Sequence, residues 1–310
     1  MGFVKATEAK QPTFIKCLFY GKAGTGKTTL ALSAPNPAVI DFDGGLHRVN
    51  FQHRYGVDVL QPESWEDVMT TLADRAAMSG YKTIVVDTVD KMMDFIITYK
   101  CGTRQPVLKD WGGINQEFTR FCRAVDALQK NVIFIAHEAS TTEKDVTCYR
   151  PALRDKNFVA VQNELDILAF LQRTEIQGVA QRTLTFFAAN CEGKKPSNFP
   201  DTMVIPVCLD NNGNKTIEND FFQKSILNPY IEMKARENGA LAEYSKLMKQ
   251  INDDIDFIND ADTANSFIQN AGKYSHVGNS LQMMRSLFAA KVGSLGLSYD
   301  KTNKVYVNAA

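Results

Sequence analysis

The sequence predicts an α/β fold in which helices flank a mainly parallel β-sheet, followed by a mostly helical C-terminal module. Short apolar segments at residues 14–20, 38–41, 83–88 and 131–137 read as buried strands, and helical patterns lie between several of them. The first of these strands leads through a glycine-rich turn into a helix, as α/β units do. Strand signals then stop after about residue 216, where helical patterns take over.

This change of pattern divides the chain into three predicted parts. Residues 1–12 form a polar N-terminal arm, residues 13–216 the α/β core, and residues 217–310 the helical module. Within the module, the spacing of apolar residues predicts helices at 229–237, 241–257, 261–269 and 281–295, and a closing hairpin with strands at 297–300 and 304–307.

The composition is that of a globular protein of 310 residues with a formal net charge of zero. No apolar run approaches the roughly 20 residues of a membrane span, and the N-terminus lacks the hydrophobic stretch of a signal peptide. The six cysteines include no C-x-x-C pair, which argues against a zinc site or a disulfide framework. We therefore expect a cytoplasmic protein without a membrane partner, whose contacts with any nucleic acid depend on local patches of charge.

The segment 21–28, GKAGTGKT, fits the pattern G-x-x-x-x-G-K-[ST] directly after a predicted strand. In such a loop the backbone N–H groups surround phosphate oxygens, and the lysine reaches the β- and γ-phosphates. The sequence therefore predicts a nucleoside triphosphate site. Its predicted binding residues are Gly21, Ala23, Gly24, Thr25, Gly26, Lys27, Thr28 and Thr29.

The apolar strand at residues 83–88 ends in an acid, Asp87, as in the Walker B pattern. A hydroxyl from the phosphate loop and this carboxylate are the usual protein groups around Mg²⁺ in such sites. We therefore predict that Thr28 and Asp87 hold Mg²⁺.

Two further polar residues follow predicted strands, Asp43 after residues 38–41 and His137 at the end of 131–137. ATP hydrolysis needs a carboxylate that orients and deprotonates water, and a polar group that contacts the γ-phosphate. Lys27, Asp43, Asp87 and His137 are therefore the predicted catalytic residues. Structural interpretations stay open, because Asp43 precedes two glycines as turn residues do, and His137 could simply end a core strand.

Two segments without apolar periodicity, residues 101–113 and 138–157, are predicted to be loops. A loop of about twenty residues within an α/β domain is uncommon and is usually functional or mobile. The two loops carry basic and aromatic side chains suited to a nucleic-acid backbone and its bases. The candidates are Lys109, Trp111, Tyr149, Arg150, Arg154 and Lys156.

In their order and spacing, these segments resemble the RecA-type recombinase core, and more closely the phage RecA-like proteins described as single-strand annealing ATPases. The resemblance covers roughly residues 1–205. It rests on FVKA at 3–6, the phosphate loop, IDFDG at 40–44, IVVDT at 84–88, IFIAHE at 133–138 and GKK at 193–195.

The resemblance implies a RecA-like P-loop core that acts on single-stranded DNA as a homo-oligomer, either a ring or a filament. It implies that Asp43 activates water, although a glutamate is usual there, and that His137 couples the γ-phosphate to the DNA-binding loop behind it. Lys194 and Lys195 become candidates for cations that reach a neighbouring protomer's ATP. Phe3 and Ala6 resemble the short motif that joins RecA-like protomers. A single-strand-binding protein is an implied further partner.

The leading hypothesis is therefore an ATPase, stimulated by single-stranded DNA, that serves phage-type homologous recombination or strand annealing in the cytoplasm of a bacterial host. A small-molecule or nucleotide kinase is the first alternative, with residues 138–157 as its lid. A nucleotide-dependent assembly switch with negligible hydrolysis is the second, and the short side chain of Asp43 keeps it open.

Overall fold

The computed structural model describes residues 13–143, 146–176 and 179–308. The predicted N-terminal arm with its Phe3 and Ala6 lies outside the described residues. The chain divides into two compact units, one at residues 12–231 and another that contains residues 232–310.

The first unit is built on a sheet whose described strands number nine, in the order β3-β2-β4-β5-β1-β7-β8-β9, with β6 paired to β5. Neighbours from β3 to β7 in this order run parallel, whereas β8, β9 and β6 are antiparallel additions. The predicted mainly parallel sheet is thus confirmed. The strands are β1 (Lys16–Gly21), β2 (Pro37–Asp41), β3 (Asp58–Leu60), β4 (Thr83–Asp87), β5 (Asn131–Glu143), β6 (Val146–Pro151), β7 (Ile167–Ile176), β8 (Val179–Thr185) and β9 (Thr202–Ile205).

Helices cover the sheet and bury its central strands. All five residues of β4 are buried, as expected for a strand inside a parallel sheet with both faces covered. The largest core includes Val86 and Phe134 of the sheet and Phe118 and Phe121 of a covering helix. The helices of this unit are α1 (Lys27–Ala31), α2 (Phe51–Arg54), α3 (Trp65–Ala73), α4 (Arg75–Met78), α5 (Val89–Cys101), α6 (Trp111–Asp126) and α7 (Asp155–Glu164).

Most described residues of the stretch 138–157, predicted to be a loop, lie in strands and a helix instead. Strand β5 continues past the sheet to Glu143 and forms an antiparallel hairpin with β6, and α7 starts at Asp155. The Thr142 and Thr147 hydroxyls face each other at 3.1 Å across this hairpin. Small polar and β-branched residues suit such a two-stranded ribbon, which has no core behind it and therefore shows no apolar period.

The predicted boundary between core and module, at residue 217, lies too early. Phe222, in a π-helical turn at Phe222–Leu227, is fully buried, and its ring meets Phe19 of β1 edge to face at 6.1 Å. The Ser33 hydroxyl accepts a hydrogen bond from the Phe222 backbone N–H at 2.9 Å. These contacts hold residues 217–231 in the first unit, because their apolar side chains complete its core.

The second unit is mostly helical, as predicted, and has its own core around Ile251, Ile255 and Phe288. One helix, α8, replaces the two predicted at 229–237 and 241–257, since the roughly 1 kcal/mol cost of Gly239 does not break a long helix. The closing hairpin is present. The elements that end the chain are α8 (Asn228–Asp256), α9 (Ala261–Asn270), α10 (Ser280–Ser294), β10 (Leu297–Asp300) and β11 (Val305–Asn308).

Candidate functional site

The turn between β1 and α1 has the backbone shape of a phosphate loop. Gly24 and Gly26 have φ angles of 77° and 98°, which side chains with a Cβ rarely adopt. Lys27 is buried at the start of α1, and its Nζ donates to the carbonyl oxygens of Gly21 and Lys22 at 2.8 Å each. Burial lowers the pKa of Lys27. The lysine is thereby held across the loop, where a phosphate could replace the two carbonyls as its partner.

The hydroxyl of Thr28, in the first turn of α1, contacts the carboxylate of Asp87, at the carboxyl end of β4. Thr28 Oγ1 donates a hydrogen bond of 2.7 Å to Asp87 Oδ2. Asp87 is 6% exposed, and burial raises its pKa to about 6. A hydroxyl and a carboxylate in contact are a donor set that suits Mg²⁺, which takes few protein ligands when phosphates supply others.

One further observation agrees with this fit. Thr88 Oγ1 is buried beside Asp87 and has no hydrogen-bond partner among the described residues, so a polar ligand in the cavity would satisfy it. Thr28 and Asp87 are thus the residues that would hold Mg²⁺ beside the phosphates of a nucleotide.

Asp43 and His137 line the same cavity as Lys27, Thr28 and Asp87, a cleft of about 530 Å³. The sheet order explains this convergence. In the registers of the parallel strands, Asp41 is opposite Asp87, and Gly21 is opposite His137. The carboxyl ends of β2, β4, β5 and β1 therefore share one edge, which is where open α/β sheets bind ligands.

The turn that carries Asp43 is fixed by its neighbour Asp41. The buried Asp41 carboxylate accepts hydrogen bonds from the backbone N–H groups of Gly45 and Leu46, at 3.0 and 3.1 Å. Asp43 stays in the cleft, with Arg48 Nη1 at 4.0 Å from its Oδ2. The two acids thus differ in environment, because Asp41 is bonded to backbone and Asp43 faces the cavity.

His137 has a partner that the sequence analysis missed. Asp90, in the first turn of α5, accepts from the His137 backbone N–H at 3.2 Å, and its other oxygen lies 2.7 Å from His137 Nδ1. A carboxylate there places the proton on Nδ1 and fixes the ring. The available signal was an acid three residues after Asp87 at the start of a helix.

Arg182 of β8 is a second residue that the sequence analysis missed. It lines the cleft, and its guanidinium carbon lies 3.3 Å from the position that a Cβ on Gly26 would occupy. Nothing in the surrounding sequence, VAQRTLT, marks this arginine as part of a site. Only the pairing of β7 with β8 brings it to the phosphate loop.

The candidates for trans-acting cations lie outside the cleft. Lys194 is exposed, and its Nζ donates to the Gln162 carbonyl at 3.3 Å. Lys195 donates to the Phe199 carbonyl at 2.6 Å and pairs with Asp201 at 3.3 Å. Their role toward a neighbouring protomer stays a prediction.

The DNA-binding candidates fall into two groups. The Arg154 guanidinium stacks on the Trp111 ring at 3.3 Å, and this contact joins the starts of α6 and α7. Lys109 and Lys156 are exposed. Tyr149, by contrast, stacks on Phe170 at 5.0 Å, and its carbonyl accepts from the buried Tyr20 hydroxyl. The Tyr149 ring packs against the core. Tyr149 and its neighbour Arg150 are both half-buried. Phe170 thus occupies one face of the Tyr149 ring, and the role of Tyr149 in DNA binding stays a prediction.

Two solved structures of low sequence identity are similar to part of this chain. The flagellar accessory protein FlaH from Methanocaldococcus jannaschii is 11% identical over 64% of this chain and 87% of its own, with a TM-score of 0.38. A KaiC-like protein from the archaeon Pyrococcus horikoshii OT3 is 12% identical over 56% of this chain and 78% of its own, with a TM-score of 0.36. No curated protein sequence matches significantly.

A family model described as an AAA domain matches residues 13–193, which is more than half of the chain. The matched residues contain the phosphate loop, Asp43, Asp87 and His137. With the mainly parallel sheet, this match confirms the predicted α/β P-loop core, and the helices α8–α10 confirm the predicted helical C-terminal region. No helix among the described residues is long and apolar enough to cross a membrane. The chain belongs to this AAA-domain family of P-loop nucleotide-binding proteins.

Proposed function

We propose that the protein hydrolyses ATP with Mg²⁺ and couples hydrolysis to the binding of single-stranded DNA, in phage-type homologous recombination or strand annealing. The convergence of Lys27, Asp43, Asp87 and His137 on one cleft carries the hydrolytic part of this proposal. A phosphate loop alone would only bind phosphate. A water-activating acid and a γ-phosphate contact are what hydrolysis adds.

Each residue takes one role in this mechanism. Lys27 binds the β- and γ-phosphates, and Thr28 with Asp87 would hold Mg²⁺, which would supply positive charge to the phosphates. Asp43 orients the attacking water and accepts its proton. His137, with its ring fixed by Asp90, contacts the γ-phosphate and is released when the phosphate leaves.

The course of β5 supports coupling between this cleft and DNA. The same strand carries His137 and then, six residues later, Glu143 at the end of its hairpin with β6. A shift of His137 on loss of the γ-phosphate would move a paired strand, and with it the hairpin. Two-stranded ribbons transmit such a displacement over their length because their backbone hydrogen bonds keep them stiff.

The pair formed by Trp111 and Arg154, with Lys109 and Lys156, is the proposed DNA contact. We expect Trp111→Ala and Arg154→Ala each to weaken binding of single-stranded DNA about tenfold, since base stacking is worth roughly 1–3 kcal/mol per base. Arg123→Ala, which removes an exposed cation from α6 outside this group, should change affinity less than about twofold. Fluorescence anisotropy with labelled oligonucleotides at two salt concentrations, with and without ATP, measures this.

Absence of binding at low salt in every nucleotide state would rule out the DNA partner. An equal loss of affinity for single-stranded DNA in Arg123→Ala and Arg154→Ala would show that the DNA contact lies elsewhere. ATP turnover that depends on a small phosphoacceptor and ignores DNA would favour the kinase.

We further propose that protomers assemble as a ring or filament, and that Lys194 or Lys195 completes the ATP site of a neighbour. Variants Lys27→Ala and Lys194→Ala/Lys195→Ala should each be inactive alone, while their mixture should recover ATPase activity. Recovery is expected because, in the mixture, some protomers with an intact phosphate loop lie beside protomers with intact Lys194 and Lys195. A steady-state ATPase assay at a fixed total protein concentration tests this. A mixture no more active than its components would exclude action in trans.

The remaining expectations follow from the resemblance to phage annealing proteins and extend the same proposal. The protein would act in the cytoplasm of a bacterial host, where a single-strand-binding protein would deliver the DNA. Co-sedimentation with DNA coated by such a protein is the direct measurement.

A further inference from the structure

Two arginines face each other across the antiparallel strands β7 and β8. Arg173 is the direct cross-strand neighbour of Arg182. Neither forms an ion pair with a carboxylate anywhere in the described ranges. Like charges in directly opposed positions destabilise a sheet. The arrangement therefore costs stability in the nucleotide-free protein, and a bound anion would offset that cost.

Arg182 points to where such an anion would bind. Three of its guanidinium-group atoms lie 3.3 Å from a Cβ position on Gly26, so this glycine leaves room for the planar group against the phosphate loop. Beside the main cleft, a small recess is lined by Arg182 with Gly26, Thr29, His53 and Cys208, and it contains no carboxylate. Burial lowers the pKa of His53, and the positive charges of Arg182 and Lys215 lower it further.

Arg182 shares this recess with Gly26 of the phosphate loop and Thr29 of the first turn of α1. Asp43, Asp87 and His137 line the main cleft and do not line the recess. A triphosphate whose γ-group meets these three residues would therefore place its α- and β-groups nearer Arg182. The planar guanidinium is the side chain best suited to bind such phosphates with two hydrogen bonds.

We infer that Arg182 binds the α- and β-phosphates of the nucleotide from within the same chain. This inference rests on the proposed nucleotide-binding function and adds a residue to it. A contact with groups that ATP and ADP share stabilises the ground state and the transition state alike. It therefore acts on affinity and KM more than on kcat, and it needs no neighbouring protomer.

The test compares Arg182→Gln with Arg173→Gln as a matched control. Arg173 carries the same charge in the opposed position, and it lines a second cavity beside the phosphate loop, with Gly24 and Thr25 but without Lys27 or Asp87. Binding of fluorescent ATP and ADP analogues with Mg²⁺ gives Kd, and thermal unfolding with and without nucleotide gives an independent readout. Arg182→Gln should weaken both nucleotides about tenfold or more, with KM rising more than kcat falls. Its nucleotide-free Tm should be equal or higher, and its nucleotide-induced rise in Tm smaller.

Arg173→Gln should have the same nucleotide-free Tm as Arg182→Gln. It should bind ATP and ADP within about twofold of the wild-type affinity. Arg182→Lys keeps the positive charge and loses the planar guanidinium, so it should bind both nucleotides with intermediate affinity. It replaces Arg182→Gln in the test if the glutamine variant misfolds. Unchanged affinity of Arg182→Gln for ATP and ADP would overturn the inference. A lowered nucleotide-free Tm with an unchanged nucleotide-induced rise in Tm would also overturn it, as would a decrease in kcat without a change in KM. If the wild-type protein binds neither nucleotide, or Lys27→Ala binds both normally, the proposed function itself fails.

Discussion

Replacing Asp87 by asparagine should stabilise the nucleotide-free protein at pH 7 by about 2–3 kcal/mol and abolish Mg²⁺-dependent ATP hydrolysis. Burial raises the pKa of this carboxyl from 3.8 to about 6. The folded protein therefore binds this proton more tightly than the unfolded chain does. The resulting penalty is absent below pH 4, grows as the pH rises to about 6, and is complete above it. Asparagine removes the charge and keeps an oxygen for the Thr28 hydroxyl.

Chemical denaturation at pH 4 and pH 7 measures this effect, and the gain should appear only at the higher pH. Asp41→Asn is the control, since Asp41 pairs with Asp87 in register on the neighbouring strand and is equally buried. Its charge accepts two backbone hydrogen bonds, so this variant should lose stability. An Asp87→Asn protein that is less stable than wild type at pH 7 would contradict the assignment. Such opposition between stability and activity is typical of active sites.

Asp43→Ala should lower kcat by about 10²–10⁴-fold and leave ATP affinity nearly unchanged. The loss follows if Asp43 accepts the proton of the attacking water. Two other acids line the cleft, and each has another partner. Asp87 is assigned to Mg²⁺, and the Asp210 carboxylate accepts backbone hydrogen bonds from Asn212 and Asn214. Steady-state kinetics and nucleotide titrations separate the two effects.

Two companion variants sharpen the result for Asp43. A Cβ on Gly45 would lie 2.4 Å from Asp43 Oδ1, so Gly45→Ala must displace the carboxylate and should lower kcat while the protein still folds. Asp43→Glu keeps the base and should retain hydrolysis. ATP turnover that is equally slow in wild type and Asp43→Ala would instead favour the nucleotide-dependent assembly switch.

Sequence patterns were sufficient where the function depends on residues that are close in the chain. The phosphate loop, the acid that ends β4 and the polar ends of β2 and β5 follow from short motifs, because a parallel sheet brings the carboxyl ends of its strands to one edge. The sheet order then placed Lys27, Asp43, Asp87 and His137 in one cleft. Local periodicity also predicted the hairpin and the later helices of the second unit, but it divided the single helix α8 at Gly239.

Polar ribbons and extra strands were less predictable. Residues 138–157 form a hairpin and a helix although they carry no apolar period, because cross-strand pairing and not burial specifies the ribbon. The short strands β3 and β9 are partly exposed and give weak signals for the same reason. Residues 217–231 belong with the first unit only because Phe222 fills a space beside Phe19 of β1.

Local sequence patterns specify the phosphate loop and the mainly parallel sheet that carries it. The side chains that surround this loop depend on the tertiary structure. Asp90 lies 47 residues from His137 in the chain, and Arg182 reaches Gly26 through the pairing of β7 and β8. Such contacts depend on strand order and register, which local spacing does not encode. Long-range pairing therefore fixed the ring of His137, buried Tyr149 in part, and brought Arg182 to the phosphate loop.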